Sequence, residues 1–254
     1  MGLLVVLGMF LAMLVLLEIG RRLGRRQLAR DPDVVKAGSG AVESAVFGLM
    51  ALLIAFTFSG AASRFEARRA LVVEEANDIG TAWLRLDLLP AAAQPALREK
   101  FRQYVDARLA IFRQLPDVTS AQAELARSTA LQTEIWKDAV AACRDSSSSP
   151  PTMLLLPALN QMIDISTTRA VASRMHAPLV IYVMLALLLL AGSLLAGYSM
   201  AFGKTRNWFY ASAFALIMAL AIYVILDFEF PRLGLIRLNS FDQVLVDLRE
   251  GMNP

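Results

Sequence analysis

The sequence predicts an all-α membrane protein, with four transmembrane helices and a helical extramembrane domain between the second and the third. Three observations carry that prediction. The 254 residues are 57% hydrophobic and their mean hydropathy is +0.53, well above the usual level of a water-soluble domain. Four runs are long and apolar enough, or nearly so, to cover a hydrocarbon core of ~30 Å, which takes roughly 20 helical residues. The stretch between the second and third runs shows helical apolar spacing and none of the alternation that marks a strand.

The first run covers residues 2–17 and ends at Glu18 and the basic cluster Arg21, Arg22, Arg25, Arg26. It has no basic segment before it and no small-residue cleavage site after it, so it reads as a retained anchor rather than a signal peptide. It is slightly short, which snorkelling by Glu18 or a thinned bilayer would accommodate. The second run, residues 44–63, is free of charge between Glu43 and Arg64. The third, residues 177–203, is the longest, and the fourth, residues 207–226, is closed by Asp227. Charges sit at the ends of all four runs, where an ionised side chain costs least.

The charge distribution votes both ways on orientation. Residues 20–41 hold Arg21, Arg22, Arg25, Arg26, Arg30 and Lys36, and the 204–206 turn adds Lys204 and Arg206. The positive-inside rule puts these two loops in the cytoplasm and the middle domain outside. Arg64, Arg68, Arg69, Arg169 and Arg174 flank the opposite side and favour the reverse.

The middle domain, residues 64–176, begins with a heptad-like stripe of Phe65, Val72, Ile79, Trp83 and Leu86. The second transmembrane helix is therefore expected to continue into the domain without a break, as far as Pro90. A helix over about 95–115 follows, with Leu97, Phe101, Tyr104, Ile111 and Leu115 on one side. Thr119 is expected to start the next, with Gln122 at the capping-box position and Leu125, Leu131, Ile135, Trp136 and Val140 as its apolar positions. Residues 144–151, RDSSSSPP, form a polar loop ended by proline. A last helix, about 153–175, leads to the third run. The chain thus divides into residues 1–63, with two transmembrane helices and a basic connecting loop; 64–176, the helical domain; 177–228, with the other two transmembrane helices; and 229–254, a C-terminal segment with a short helix.

Catalytic chemistry is not legible. Cys143 is the sole cysteine, and His176, the sole histidine, lies at the edge of the third run, where an interfacial role is the ordinary one. No CxxC, HExxH, P-loop or GxGxxG occurs, and no cofactor or metal is expected. Glu74, Glu75 and Asp78 form an acidic cluster, read as a solvated face or as partners of Arg68 and Arg85, with a cation site as the competing reading. The arginines sit at membrane boundaries, where headgroups account for them, so no nucleic-acid surface is expected.

Residues 56–69 read FTFSGAASRFEARR. This stretch resembles the end of the second transmembrane helix of bestrophins, which are chloride-conducting channels. Phe56 stands at the place of their pore-neck phenylalanine. Arg64, Phe65, Glu66, Ala67 and Arg68 resemble the segment that enters their cytosolic domain, with one aromatic missing between Phe65 and Glu66. Asp227-Phe228-Glu229-Phe230-Pro231 is similar to the acidic–proline segment after the last span. The run EEANDIGTAWLRLDLLP is closer still to the bacterial bestrophin-like domain family.

The resemblance implies a multi-pass protein of the bacterial inner membrane. It also implies a homo-oligomer, with a pentamer as one form, whose second helices line a pore for small inorganic anions. Gly48, Leu52 and Phe56 are then the pore-lining candidates, since they share one helix face, and Arg64, Phe65, Glu66 and Arg68 mark the junction of membrane and domain. Helix packing is the competing reading of the Gly48 face. Residues 232–240, RLGLIRLNS, lack the acidic calcium clasp of animal bestrophins. Bestrophins hold the middle domain in the cytosol, against the vote of the first loop. The competing function is a non-conducting membrane scaffold or sensor acting through the helical domain.

Overall fold

The computed structural model describes residues 2–30, 34–113, 117–145, 150–203, 208–231, 234–236 and 239–252, and every regular element among them is a helix. Leu115, the turn from Lys204 to Arg206, Arg232, Leu233, Arg237, Leu238 and residues 146–149 of the polar loop lie outside the described residues, as does the side chain of Lys36. The chain forms two compact units, Met1–Phe65 with His176–Ile236, and Glu66–Met175 with Arg237–Pro254.

The first unit holds α1 (Gly2–Arg30), the first part of α2 (Val34–Arg85), α6 (Leu179–Met200) and α7 (Trp208–Glu229). These supply the helices that are long and apolar enough to cross a membrane. The chain is a multi-pass membrane protein. Besides α2, which runs on into the second unit, α1 and α7 outrun their apolar windows. Helix α1 continues from residue 17 to Arg30, because Glu18 accepts hydrogen bonds from Arg21 at 3.1 Å and Arg22 at 2.9 Å, the i+3 and i+4 positions. Helix α7 continues past Asp227 to Glu229, since both carboxylates find partners.

Helix α1 lies along α6 and α7. Its approach to α6 is set by glycine: a Cβ at Gly20 would run into the Leu194 carbonyl oxygen, and one at Gly197 into that of Leu17. Small residues do this work in membranes because lipid tails give no hydrophobic drive between helices, so close backbone contact supplies the attraction. Helix α2 reaches the others through larger side chains. Phe47 meets Phe214 edge-on, Phe58 and Phe65 meet Phe228, and Met50 packs near Gly192.

The second unit holds the rest of α2, a 3-10 turn (Leu86–Leu88), α3 (Gln94–Arg113), α4 (Val118–Asp145), α5 (Pro150–Arg174) and α8 (Asn239–Gly251). Val72, Ile79, Trp83 and Leu86 of the heptad-like stripe are buried in its core with Leu97, Phe101 and Tyr104 of α3. Trp83 stands edge-on to Phe101 and carries the Arg98 guanidinium 4.5 Å above its ring. Gln132 of α4 donates to the Tyr104 hydroxyl at 3.0 Å and to Ser166 of α5 at 2.8 Å. Burial pushes the Tyr104 phenol up to about 12. Helix α8, set apart with the C-terminal segment by the sequence reading, packs on α3, where Arg249 pairs with Asp106 at 2.8 Å.

One cap differs from expectation. Helix α4 begins at Val118, and its cap is Asp117, whose Oδ1 accepts the backbone N–H groups of Thr119 and Ser120 at 3.0 and 3.3 Å. A carboxylate two residues earlier takes the role expected of Thr119, and Gln122 is exposed.

Candidate functional site

Within the first unit, α2 has two unlike sides. Phe47, Met50, Ile54, Thr57, Ala61 and Phe65 turn toward the unit and are buried or half-buried. Gly48, Leu52 and Phe56 lie on the opposite side, with Leu52 52% and Phe56 68% exposed. A Cβ at Gly48 would meet no atom within 4 Å, so this glycine makes no close helix contact within the chain. Ser59 and Ser63 extend the uncovered side by a further two turns, a polar continuation that the sequence reading passed over. No acidic residue stands on α2 between Glu43 and Glu66.

Arg64 turns away from that bare face. It donates to Glu229 of α7 through Nη2 at 2.6 Å and through Nε at 3.1 Å. Glu229 is 0% exposed, and its other oxygen lies 3.0 Å from His176 Nδ1 and accepts the Ala177 N–H at 3.3 Å. The Phe230 ring covers the imidazole at 4.6 Å. One buried carboxylate thus ties α2, the chain before α6 and the end of α7 together. His176, read from the sequence as interfacial, is a member of this cluster. The cluster was missed because Arg64 and Glu229 are 165 positions apart.

Two residues earlier, Asp227 folds the following chain back. Its Oδ2 accepts the N–H groups of Leu235 and Ile236 at 3.1 and 2.9 Å. Gly234 is required there, because a Cβ would collide with the Asp227 carboxylate.

The other two junction residues belong to the second unit. Glu66 is exposed and pairs with Arg69 at 2.6 Å. Arg68 is buried and donates to the carbonyls of Ala172 and Met175 at 3.2 and 2.7 Å, satisfying the acceptors left open at the end of α5. The acidic cluster divides: Glu74 is exposed, as the solvated-face reading has it, and Glu75 is not. Glu75 is buried and bonded by Arg108 at 2.5 Å and by Arg169, whose other nitrogen reaches Asp242 of α8 at 3.4 Å. Neither Arg68 nor Arg85 is its partner, and Arg85 donates instead to the Leu154 carbonyl at 2.6 Å. Burial pushes the Arg108 guanidinium down, and the Glu75 carboxylate outweighs that, so its net shift is upward.

Solved structures share the fold. A bacterial bestrophin homologue from Klebsiella pneumoniae, solved as two different point variants, matches with TM-scores of 0.71 and 0.67 at 14% identity. Each match covers 96% of this chain and 98% of the other. A crystal structure described as a membrane protein matches with a TM-score of 0.65 at 15% identity, over 95% and 98% of the two chains. No curated protein sequence matches significantly. The family described as the Bestrophin-like domain matches residues 7–240, nearly the whole length, and the chain belongs to that family.

Proposed function

We propose that the protein is an oligomeric ion channel, most suited to anions, in which copies of α2 surround an axial path. The observation that carries the reading is the bare side of α2: Gly48, Leu52 and Phe56 are left uncovered by the chain's own helices. In a ring of copies, a pentamer being the form the family resemblance suggests, Leu52 and Phe56 form apolar collars that gate by dewetting, and Gly48 leaves the path wider one turn earlier. Ser59 and Ser63 follow with hydroxyls, and the absence of carboxylates along residues 44–65 leaves no ring that would favour cations. Arg64, Phe65 and Arg68 hold the helix in register at the edge of the membrane, and Glu66 marks the same junction on its exposed side. The bacterial inner membrane is the proposed location.

Purified oligomer in planar bilayers under a chloride gradient tests this. Currents that reverse near the chloride potential are expected, and Phe56→Ala should enlarge them. Silent bilayers containing verified oligomer would overturn the reading.

A scaffold or sensor is the second reading. It is favoured by Leu84, Leu88, Met153 and Leu154 of the second unit, apolar side chains left exposed near the 3-10 turn. Crosslinking that captures a distinct partner through these residues would support it, and capture of sibling chains alone would return the patch to the oligomer.

A further inference from the structure

A cavity of about 430 Å³ opens within the first unit among α1, α6 and α7, with no contribution from α2. That is a volume in the range of small-molecule sites. Its walls are amphipathic. Leu14, Leu17, Met200 and Ala211 give an apolar side, and Glu18, Arg21 and Ser199 a polar one. The cavity sits where α6 ends, where α7 begins and where the first charges follow the apolar run of α1, which is the level of a membrane interface. Trp208 and Tyr210, residue types that settle at headgroup depth, complete the rim.

The polar side is short of an acceptor. Arg21 spends Nε and Nη2 on Glu18 at 3.1 and 3.2 Å. Its Nη1 is buried with no hydrogen-bond partner among the described residues. A buried guanidinium N–H without an acceptor is costly, so the site favours any ligand that brings an anionic oxygen. Glu18 cannot supply it alone, because the same carboxylate also serves Arg22. The Ser199 hydroxyl is occupied by Glu43. With Arg21, Arg22, Arg25 and Arg26 against Glu18 and Glu43, the neighbourhood is net positive.

We propose that this cavity binds the phosphate group of an anionic phospholipid, with Arg21 Nη1 as its donor and the Leu14, Leu17, Met200 and Ala211 wall against the start of its acyl chains. The exposed Arg22, Arg25 and Arg26 on the following turns raise the local concentration of anionic headgroups. A zwitterionic lipid offers the same phosphate but brings a choline cation among these arginines, so the site discriminates by net headgroup charge.

Native mass spectrometry of the detergent-solubilised protein tests this with phosphatidylglycerol and phosphatidylcholine of matched chains. Retention of phosphatidylglycerol at least about tenfold above phosphatidylcholine is expected, since a charged hydrogen bond that only one lipid makes without added repulsion is worth about that ratio. Arg21→Gln should remove the preference, and Arg113→Gln, exposed on α3 of the second unit, should keep it. Ala211→Leu fills the cavity while leaving Arg21 in place and should lose the lipid as well. If Arg21→Gln loses its cooperative melt, Ala211→Leu decides. Inorganic phosphate is the second arm: if millimolar phosphate without lipid stabilises the protein as much as phosphatidylglycerol does, and Arg21→Gln abolishes that gain, the site takes free anion and the lipid assignment falls. Equal retention of the two lipids, or phosphatidylglycerol held undiminished by Ala211→Leu, overturns the proposal outright.

Discussion

The two units of this chain each bury one glutamate completely, and they hold it by different means. In the second unit, Glu75 lies between Arg108 and Arg169, both nearly buried, and Asp242 balances the second guanidinium. Four helices meet on that network. In the first unit, Glu229 has one arginine and one histidine, whose side chains are 29% and 34% exposed. The packing around them differs too. The second unit is filled by Trp83, Phe101 and Tyr104, whereas the first is drawn together at Gly20 and Gly197. An aqueous domain gains by burying aromatic area. A membrane unit gains nothing from that exchange and relies on close contact and hydrogen bonding.

Glu75→Gln should separate the units most sharply. It leaves two buried guanidiniums against one carboxylate, and breaking a buried pair costs about 3–5 kcal/mol. Thermal unfolding of detergent-purified protein in a Trp208→Phe background, where Trp83 and Trp136 of the second unit carry the fluorescence, should show the loss. A variant that melts within a degree or two of the native protein would mean the network contributes only geometry.

Gly197→Leu is the matching test of the first unit. The side chain has to displace the Leu17 backbone, which no rotamer avoids, so the cost belongs at or above the upper end of the usual ~1–3 kcal/mol for overpacking. Proteolysis of α1 in micelles should accelerate. The melt of the second unit should stay where it was, and a common shift of both would show that the units unfold together.

Glu229→Gln should cost less than Glu75→Gln, roughly 1–2 kcal/mol, because Arg64 keeps partial access to water and can be solvated in place. If the channel reading holds, this variant should alter gating more than stability, since it loosens α2, which carries the bare face, from α7. Single-channel open times measured with the thermal melt distinguish the two effects. Equal costs for the two glutamates would erase the contrast between the units.

How much of this was readable from the sequence depends on the solvent each segment meets. Val72, Ile79 and Leu86 stood out because water faces the other side of their helix and polar residues fill it. The positions of Gly48, Leu52 and Phe56 on one helix face were readable by the same spacing. That this face is the uncovered one was not, since residues 44–63 are apolar or small all round and their period carries no direction. The close approach of α1 to α6 was hidden for the same reason: Gly20 and Gly197 look like any other glycine until the helices are set together. The partners of Glu75 and Glu229 come from helices far along the chain, and local spacing cannot nominate them. Asp117 is the opposite case, a local signal available from the start. Thr119 with Gln122 fits the capping-box pattern, and only the hydrogen bonds show that the aspartate two residues earlier takes the cap.

That cap yields the smallest expected effect and the one with a clear pH signature. The hydroxyl and both N–H groups it accepts, with the Ser120 side chain foremost, hold the Asp117 carboxyl below its ordinary value. A carboxyl lowered on folding stabilises the folded state above its unfolded pKa, and that contribution is lost as pH falls through the lowered value. Asp117→Ala should therefore lower the melting point slightly near neutral pH, and the difference should shrink as pH falls through the lowered value of the native carboxyl. Asp117→Ser should recover most of the loss without the pH dependence, because a hydroxyl caps without titrating. Since the cap lies in the second unit, the first unit's proteolysis rate serves as the internal control. A pH-independent deficit in Asp117→Ala would assign the effect to helix propensity rather than to the charge of the cap.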